Sequence, residues 1–184
     1  RSLFEGKSIL ITGHTGFKGS WLATWLVSLG AKVTGVSLHP PSNPSHFEVA
    51  GLAEILEDYR LDIRDGDALK RIVSQTQPDF VFHLAAQSLV RESYLRTVET
   101  YQTNVMGTLN LLEALRCLEK FSVAILITSD KCYDNIEWIW GYRETDTLGG
   151  KDPYSASKGA AELLIRSHVD SFFPKGGPIR IGVG

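Results

Sequence analysis

The sequence predicts an α/β protein built on a doubly wound parallel sheet, and three observations carry that prediction. Short apolar, β-branched runs alternate with helical stripes along the chain. The first run is followed at once by a glycine-rich turn and a helix. No internal repeat, charge run or low-complexity tract points to another architecture. Parallel strands joined through helices take right-handed crossovers, which places helices on both faces of the sheet.

Ser8 to Thr12 has the unbroken apolar character of a strand covered on both faces. After the glycine turn, apolar residues recur at Leu22, Trp25, Leu26 and Leu29, an i, i+3, i+4, i+7 stripe that predicts an amphipathic helix with Gly30 at its C-terminal cap. Lys32 to Val36 reads as the second strand. Pro40-Pro41-Ser42-Asn43-Pro44-Ser45 is a loop, because three prolines exclude a helix interior and a central strand. The pattern then repeats: a strand near Glu57 to Asp62, a helix around Asp67 to Thr76, and a strand at Phe80 to Leu84. A helix with its stripe at Val105, Leu109 and Leu112 precedes a strand at Val123 to Thr128. Tyr133 to Asp152 is polar, aromatic and glycine-containing, a long loop of the kind that is usually functional. The last helix begins near Tyr154, and Ile179 to Val183 is the final strand.

Composition limits the function classes. At 184 residues, with 43% hydrophobic and 22% charged, the chain suits one globular domain and not a disordered, collagenous or fibrous one. A formal net charge of −2 gives no electrostatic case for nucleic acid or an anionic membrane surface. Cys117 and Cys132 cannot make a disulfide framework and lack zinc-ligand spacing, which suggests a reducing, cytoplasmic setting. The histidines are scattered as well, so no metal is expected. No apolar run approaches the roughly 20 residues that span a bilayer. The start, Arg1 to Glu5, lacks the apolar core of a signal peptide. It also lacks Met, so Arg1 is expected not to be the native start.

The first chemical signal is Gly13-His14-Thr15-Gly16-Phe17-Lys18-Gly19, spaced GxxGxxG between a strand and a helix. The first glycine permits the tight turn, the second lets backbone N–H groups approach a pyrophosphate, and the third lets the helix pack closely on the sheet. The helix N-terminus then faces the phosphates. Together with Thr12, the segment resembles the TGxxGFxG of the extended short-chain dehydrogenase/reductase superfamily, whose cofactor domain is a Rossmann fold. Asp62-Ile63 matches its adenine-contacting position, Leu84-Ala85-Ala86 its turn beside the nicotinamide ribose, and Thr103-Asn104-Val105 the opening of the next helix. Taken alone, Asp62 would better suit a solvated loop carboxylate or helix cap; its register with the other motifs favours the adenine contact. The resemblance implies NAD, held by Gly13, Gly16, Phe17, Lys18, Gly19, Ser37, Asp62, Ile63, Leu84, Ala85, Ala86, Gln87, Thr103, Thr128, Tyr154 and Lys158. One departure is visible: the second strand ends Ser37-Leu38-His39, without the usual acid for a ribose 2′-hydroxyl and without an Arg beside it for a 2′-phosphate. The choice of NAD over NADP therefore rests on the resemblance.

Tyr154-Ser155-Ala156-Ser157-Lys158 is a YxxxK motif whose i, i+4 spacing puts both functional side chains on one helix face. A tyrosine is a poor base at neutral pH unless a nearby cation favours its phenolate, which Lys158 would supply. The superfamily's hydroxyl partner falls just past the fifth strand, at Ser129 of Thr128-Ser129-Asp130-Lys131. In the sugar-nucleotide 4,6-dehydratases this position reads Thr-Asp-Glu, with the Asp and Glu doing acid and base work. Ser129-Asp130-Lys131 resembles the CDP-glucose branch, as do the strings from Gly13 to Trp21, Glu137 to Glu144 and Gly149 to Tyr154.

The resemblance implies dehydration of CDP-glucose to its 4-keto-6-deoxy form, used in making 3,6-dideoxy sugars for bacterial surface polysaccharide. Tyr154 would take the C4 hydroxyl proton, Ser129 would hold that oxygen, and Asp130 would protonate the departing C6 hydroxyl. Lys131 is either the C5 base, which requires it to be neutral, or an electrostatic stabiliser of the enolate. Alignment with the dehydratases places Ser88, Leu89, Val90 and Arg91 toward the substrate, with a surface ion pair as the alternative for Arg91. Trp138, Trp140 and Tyr142 would line the substrate or a subunit contact, or simply pack. A homodimer or homotetramer is implied, together with a substrate-binding region beyond Gly184. Competing readings are another sugar-nucleotide dehydratase, a 4-epimerase, which would not need Asp130 and Lys131, and a dinucleotide-sensing regulator, which would typically lose the Tyr/Lys pair.

Overall fold

The computed structural model describes residues 3–184. Six parallel strands form one sheet: β1 Ser8–Thr12, β2 Lys32–Ser37, β3 Glu57–Arg60, β4 Phe80–His83, β5 Ser122–Leu126 and β6 Ile179–Val183. Their order is β3-β2-β1-β4-β5-β6, so the chain winds outward to one side and then, from β4, to the other. The carboxyl ends of β1 and β4 face each other across that reversal, the crevice in which doubly wound sheets bind ligands.

The helices are α1 Phe17–Ser28, α2 His46–Val49, α3 Gly66–Thr76, α4 Val90–Leu95, α5 Thr97–Tyr101, α6 Gly107–Leu115 and α7 Pro153–Phe172. Strand side chains alternate between two cores. Ile9, Ile11 and Val33 pack with Ala23, Leu26 and Phe47 on the α1 side. Leu10, Val36, Val81, Ala124 and Leu126 pack with residues of α3, α6 and α7 on the other. Burial on both faces explains the unbroken apolar run in β1, whose Ile9, Leu10 and Ile11 are fully buried.

The strands lie within two residues of their predicted bounds, and β1 and β6 match them. The helix faces differ. In α1 the buried residues are Gly19, Ser20, Ala23 and Leu26, while Trp25 is 61% exposed. The helix lies too close to the sheet for large side chains: a Cβ on Gly19 would stand 2.0 Å from the Gly13 carbonyl oxygen. Gly30 does end α1, with φ +83° and the paired bonds Gly30 N to Val27 O and Ala31 N to Leu26 O. In α6 the core side is Gly107, Thr108, Leu111, Leu112, Ala114 and Leu115; of the predicted stripe only Leu112 is fully buried. The helix reaching α6 includes a π-helical turn, Gln102–Met106, which rotates the face away from a regular 3.6-residue register. Helix α2 falls just after the proline loop, closed by a Ser45/Glu48 capping box that the proline count obscured.

Candidate active site

The glycine turn is fixed by contacts between backbones. Gly13 has φ +81°, and a Cβ there would lie 2.7 Å from the Ala85 nitrogen, so the turn after β1 touches the turn after β4. Gly16 is the N-cap of α1 and offers no side-chain cap, and the first turn carries no acidic residue. The first-turn amides of Phe17, Lys18 and Gly19 therefore remain available as donors at the positive end of the helix. This backbone cradle fits a pyrophosphate. Phe17 and Lys18 are exposed.

The end of β2 is more occupied than its sequence implies. Thr15 donates to the Leu38 carbonyl at 3.1 Å and receives the Ser37 hydroxyl at 2.7 Å. An arginine does stand beside this end, contrary to the sequence expectation: Arg60, from β3, donates Nη1 to the Leu38 carbonyl at 3.1 Å. Its Nε and Nη2 are held by Asp58, so parallel pairing brings in a cation that local sequence could not show. Asp58 also bonds Nε2 of fully buried His14, whose pKa is lowered by burial against the opposing pull of Asp58. Asp62 is committed to Arg64 at 2.5 Å, and that bond holds its carboxyl below the usual range. Ile63 is 4% exposed and its side chain packs in the core against Gly107 of α6.

A buried polar chain joins the two halves of the crevice. Thr12 Oγ1 receives the Ala85 amide and lies 2.7 Å from His83 Nδ1, while His83 Nε2 lies 3.0 Å from Thr108 Oγ1. The Thr108 hydroxyl donates to the Asn104 carbonyl, so it accepts from Nε2 and fixes the neutral Nε2–H tautomer. Burial drives the His83 pKa down to about 3, with Lys158 adding to the effect. Asn104 then bonds both the amide and the carbonyl of Gln87 and donates to Ser157 Oγ at 2.8 Å. Thr103, predicted to hold cofactor, is half-buried beside it in the π-helical turn. Leu84, Ala85 and Ala86 are half-buried at the crevice.

Asp152 caps α7 through the Ser155 amide, and Pro153 occupies its first turn, so the helix starts just before Tyr154. Tyr154 and Lys158 are 8% and 6% exposed. Lys158 Nζ reaches the Ile127 carbonyl at 3.5 Å. Desolvation pulls its pKa down to about 8, against Glu162, which raises it. Ser129, at the carboxyl end of β5, caps a short 3₁₀ turn, Asp130–Cys132, through the Lys131 amide. The first two residues of this turn differ sharply from Tyr154 and Lys158: the Asp130 and Lys131 side chains are 86% and 55% exposed, with 3.8 Å between their charges. The desolvation that a neutral Lys131 needs is thus not supplied by the residues around it.

Gln87 folds back on its own loop, accepting from the Leu89 amide and donating to the Leu89 carbonyl and Thr100. Ser88, Leu89 and Arg91 are exposed and Val90 half-buried, and no ion pair to Arg91 forms among the described residues. In the loop from 133 to 152, Tyr142 stacks on Tyr133 and leans on Trp138, whereas Trp140 is 68% exposed. A cavity of about 560 Å³ opens from Ser129 and Asp130 between the 144–148 segment, α7 and β6. Glu162 lines it and accepts a short hydrogen bond from Thr128. Sequence reading missed His14, His83, Asn104 as a hub, and Glu162; only the last had a local signal, an acid one turn beyond YxxxK.

Sheet order, glycine turn and crevice define the class, a Rossmann-type dinucleotide-binding fold. Within that class the chain belongs to the GDP-mannose 4,6 dehydratase family, whose model matches residues 10–173. The CDP-glucose 4,6-dehydratase of Salmonella typhimurium is 49% identical over 184 residues, 100% of this chain and 51% of that protein. A probable dTDP-glucose 4,6-dehydratase of Sinorhizobium fredii is 34% identical, over 84% of this chain and 47% of that protein. The structure of the Thermus thermophilus UDP-glucose 4-epimerase in complex with NAD matches with TM-score 0.77 and 27% identity, over 90% of this chain and 51% of that one. The chain spans about half the length of the curated relatives it matches.

Proposed function

We propose that this chain is the NAD-binding and catalytic part of a CDP-glucose 4,6-dehydratase. The observation that carries the reading is that α7, with its buried Tyr154/Lys158 pair, packs against the exposed turn that follows Ser129 at the carboxyl edge of one sheet. An epimerase acting only at C4 would leave Asp130 and Lys131 without work. The 49% identity to the Salmonella enzyme supports the branch, and the NAD complex of the Thermus epimerase supports the cofactor. Residues 1–184 are read as one dinucleotide-binding domain that acts within a longer protein.

The uncapped first turn of α1 would hold the pyrophosphate, and the β1/β4 crevice the nicotinamide end. Bound there, NAD would supply a transient oxidant for the sugar's C4 carbon and the means to reduce C6 afterwards. Tyr154 accepts the C4 hydroxyl proton, with Lys158 as the cation a phenol needs to act as a base. Ser129 holds the same oxygen as it becomes a carbonyl. The ketone acidifies the C5 proton, which Lys131 removes while Asp130 protonates the departing C6 hydroxyl. Because Lys131 is half in water here, its base role requires the bound sugar to complete the desolvation.

A homodimer or homotetramer belongs to this reading, supported by the exposed apolar side chains Tyr94, Leu95, Val98 and Met106. So does a cytoplasmic setting, supported by the free thiols of Cys117 and Cys132. Incubating the full-length protein with CDP-, dTDP- and UDP-glucose and with GDP-mannose, followed by mass spectrometry, tests the assignment. Loss of water from CDP-glucose alone is expected; preferred dehydration of another nucleotide sugar would reject the branch.

A further inference from the structure

Helix α7 grips the end of β5 at consecutive residues. Lys158 reaches the carbonyl of Ile127, and Glu162, one turn on, accepts the hydroxyl of Thr128. The next residue is Ser129. Glu162 is half-buried and lines the cavity that opens from Ser129 and Asp130. The i, i+4 spacing places its carboxylate on the same face of α7 as Lys158, which lies inside the protein with one carbonyl in reach.

We propose that Glu162 is a positioning residue of this site: anchored by Thr128, its carboxylate is the counter-charge of the buried Lys158 and ties the Ser129 turn to α7. The inference rests on the reading of Tyr154 and Lys158 given above. A neutral amide could accept the Thr128 hydroxyl equally well, so the bond alone does not call for an acid. What a carboxylate adds is charge, and here the charge has a use. Among the described residues Lys158 is opposed by Lys18 on α1 and by burial, faces the neutral ring of His83 on β4, and has in Glu162 the acid that favours its charge. The carboxylate meanwhile works against Cys132, whose pKa burial and then Glu162 push up to about 11, and against Tyr133. Asp130 adds to that negative field at Cys132, and Glu144 to the one at Tyr133. Glu162 makes no ion pair within 4 Å of Lys158, so a half-buried acid one helical turn away acts on the buried cation through the protein interior, where charges are weakly screened.

The sign follows from the charge. Removing the carboxylate makes Lys158 release its proton at lower pH, so a step that needs the ammonium is lost earlier on the alkaline side. The test uses the full-length protein with ¹³C-labelled lysine, following the Lys158 ε-carbon by NMR and assigning it by its absence in Lys158→Met. In Glu162→Gln the Lys158 midpoint, about 8 in the parent, is expected to move down by about half to one pH unit. The alkaline limb of kcat should move with it while activity at low pH approaches the parent value. Glu162→Asp, which keeps the charge, should leave the midpoint within a few tenths of a unit. Thr128→Val, which leaves the Glu162 side chain in place but unanchored, should move the midpoint less than Glu162→Gln. An unchanged midpoint in folded Glu162→Gln, or equal shifts in Glu162→Gln and Glu162→Asp, would overturn the proposal. Full turnover in Tyr154→Phe would instead overturn the catalytic reading, and the NMR midpoint would still decide the role of Glu162.

Discussion

Two regions at the carboxyl edge of the sheet are built on opposite terms. At the start of α7, Tyr154 and Lys158 are under 10% exposed and tied through Ser157 and Asn104 to the turn after β4. In the turn after β5, Asp130 and Lys131 stand mostly in solvent. The first region carries its electrostatic environment within the described residues, which shifts Lys158 markedly. The second depends for its environment on whatever covers it. On the proposed function, the groups for oxidation are pre-formed here, and those for elimination would be completed only when a substrate closes over Asp130 and Lys131.

The strongest test of this contrast is Tyr154→Phe, expected to lower kcat by about 10²–10⁴-fold while the urea midpoint stays close to that of the parent. A parallel loss of folding stability would show that the buried pair is structural. Next comes Lys131→Met, expected to cost about 10²-fold or more in turnover and to stop C5–H exchange with solvent while C4 oxidation persists. Unchanged exchange would leave Lys131 only an electrostatic role. Gly19→Ala should cost about 1–3 kcal/mol, because the new Cβ would meet the Gly13 carbonyl at 2.0 Å, whereas Gly141→Ala, with nothing within 4 Å, should stay within about 0.5 kcal/mol. Urea unfolding with and without NAD measures both, and equal effects would contradict the close approach of α1 to the turn.

The smallest effect is on acid stability. His83 is held neutral, with its folded pKa far below the unfolded value of about 6.5. Its contribution is therefore intact above about pH 6.5 and is lost as pH falls toward 3, because the unfolded chain binds the proton first. Between pH 7 and 5.5 the loss should be about 1 kcal/mol, read from urea midpoints. A His83→Leu variant, less stable throughout, should lack that part of the slope.

What the sequence disclosed divides along the same line. The strands, the glycine turn and the YxxxK helix were legible because each is written locally, in an apolar run, a glycine spacing or an i, i+4 pair. The buried face of α1 was not, since the close approach at Gly19 demands small residues where periodicity favours Trp25. Arg60 reached the end of β2 through strand pairing, and Asn104 became a hub through a π-helical turn, neither of which leaves a local pattern. The exposure of Lys131 was likewise invisible in the string Ser129-Asp130-Lys131, which names residue types but not their solvent.

The central claim is that one site both oxidises at C4 and eliminates across C5 and C6. CDP-glucose carrying deuterium at C4, turned over by the full-length protein, tests it most directly. Loss of water with the deuterium recovered at C6 of the product is the predicted result. Deuterium retained at C4 would contradict it.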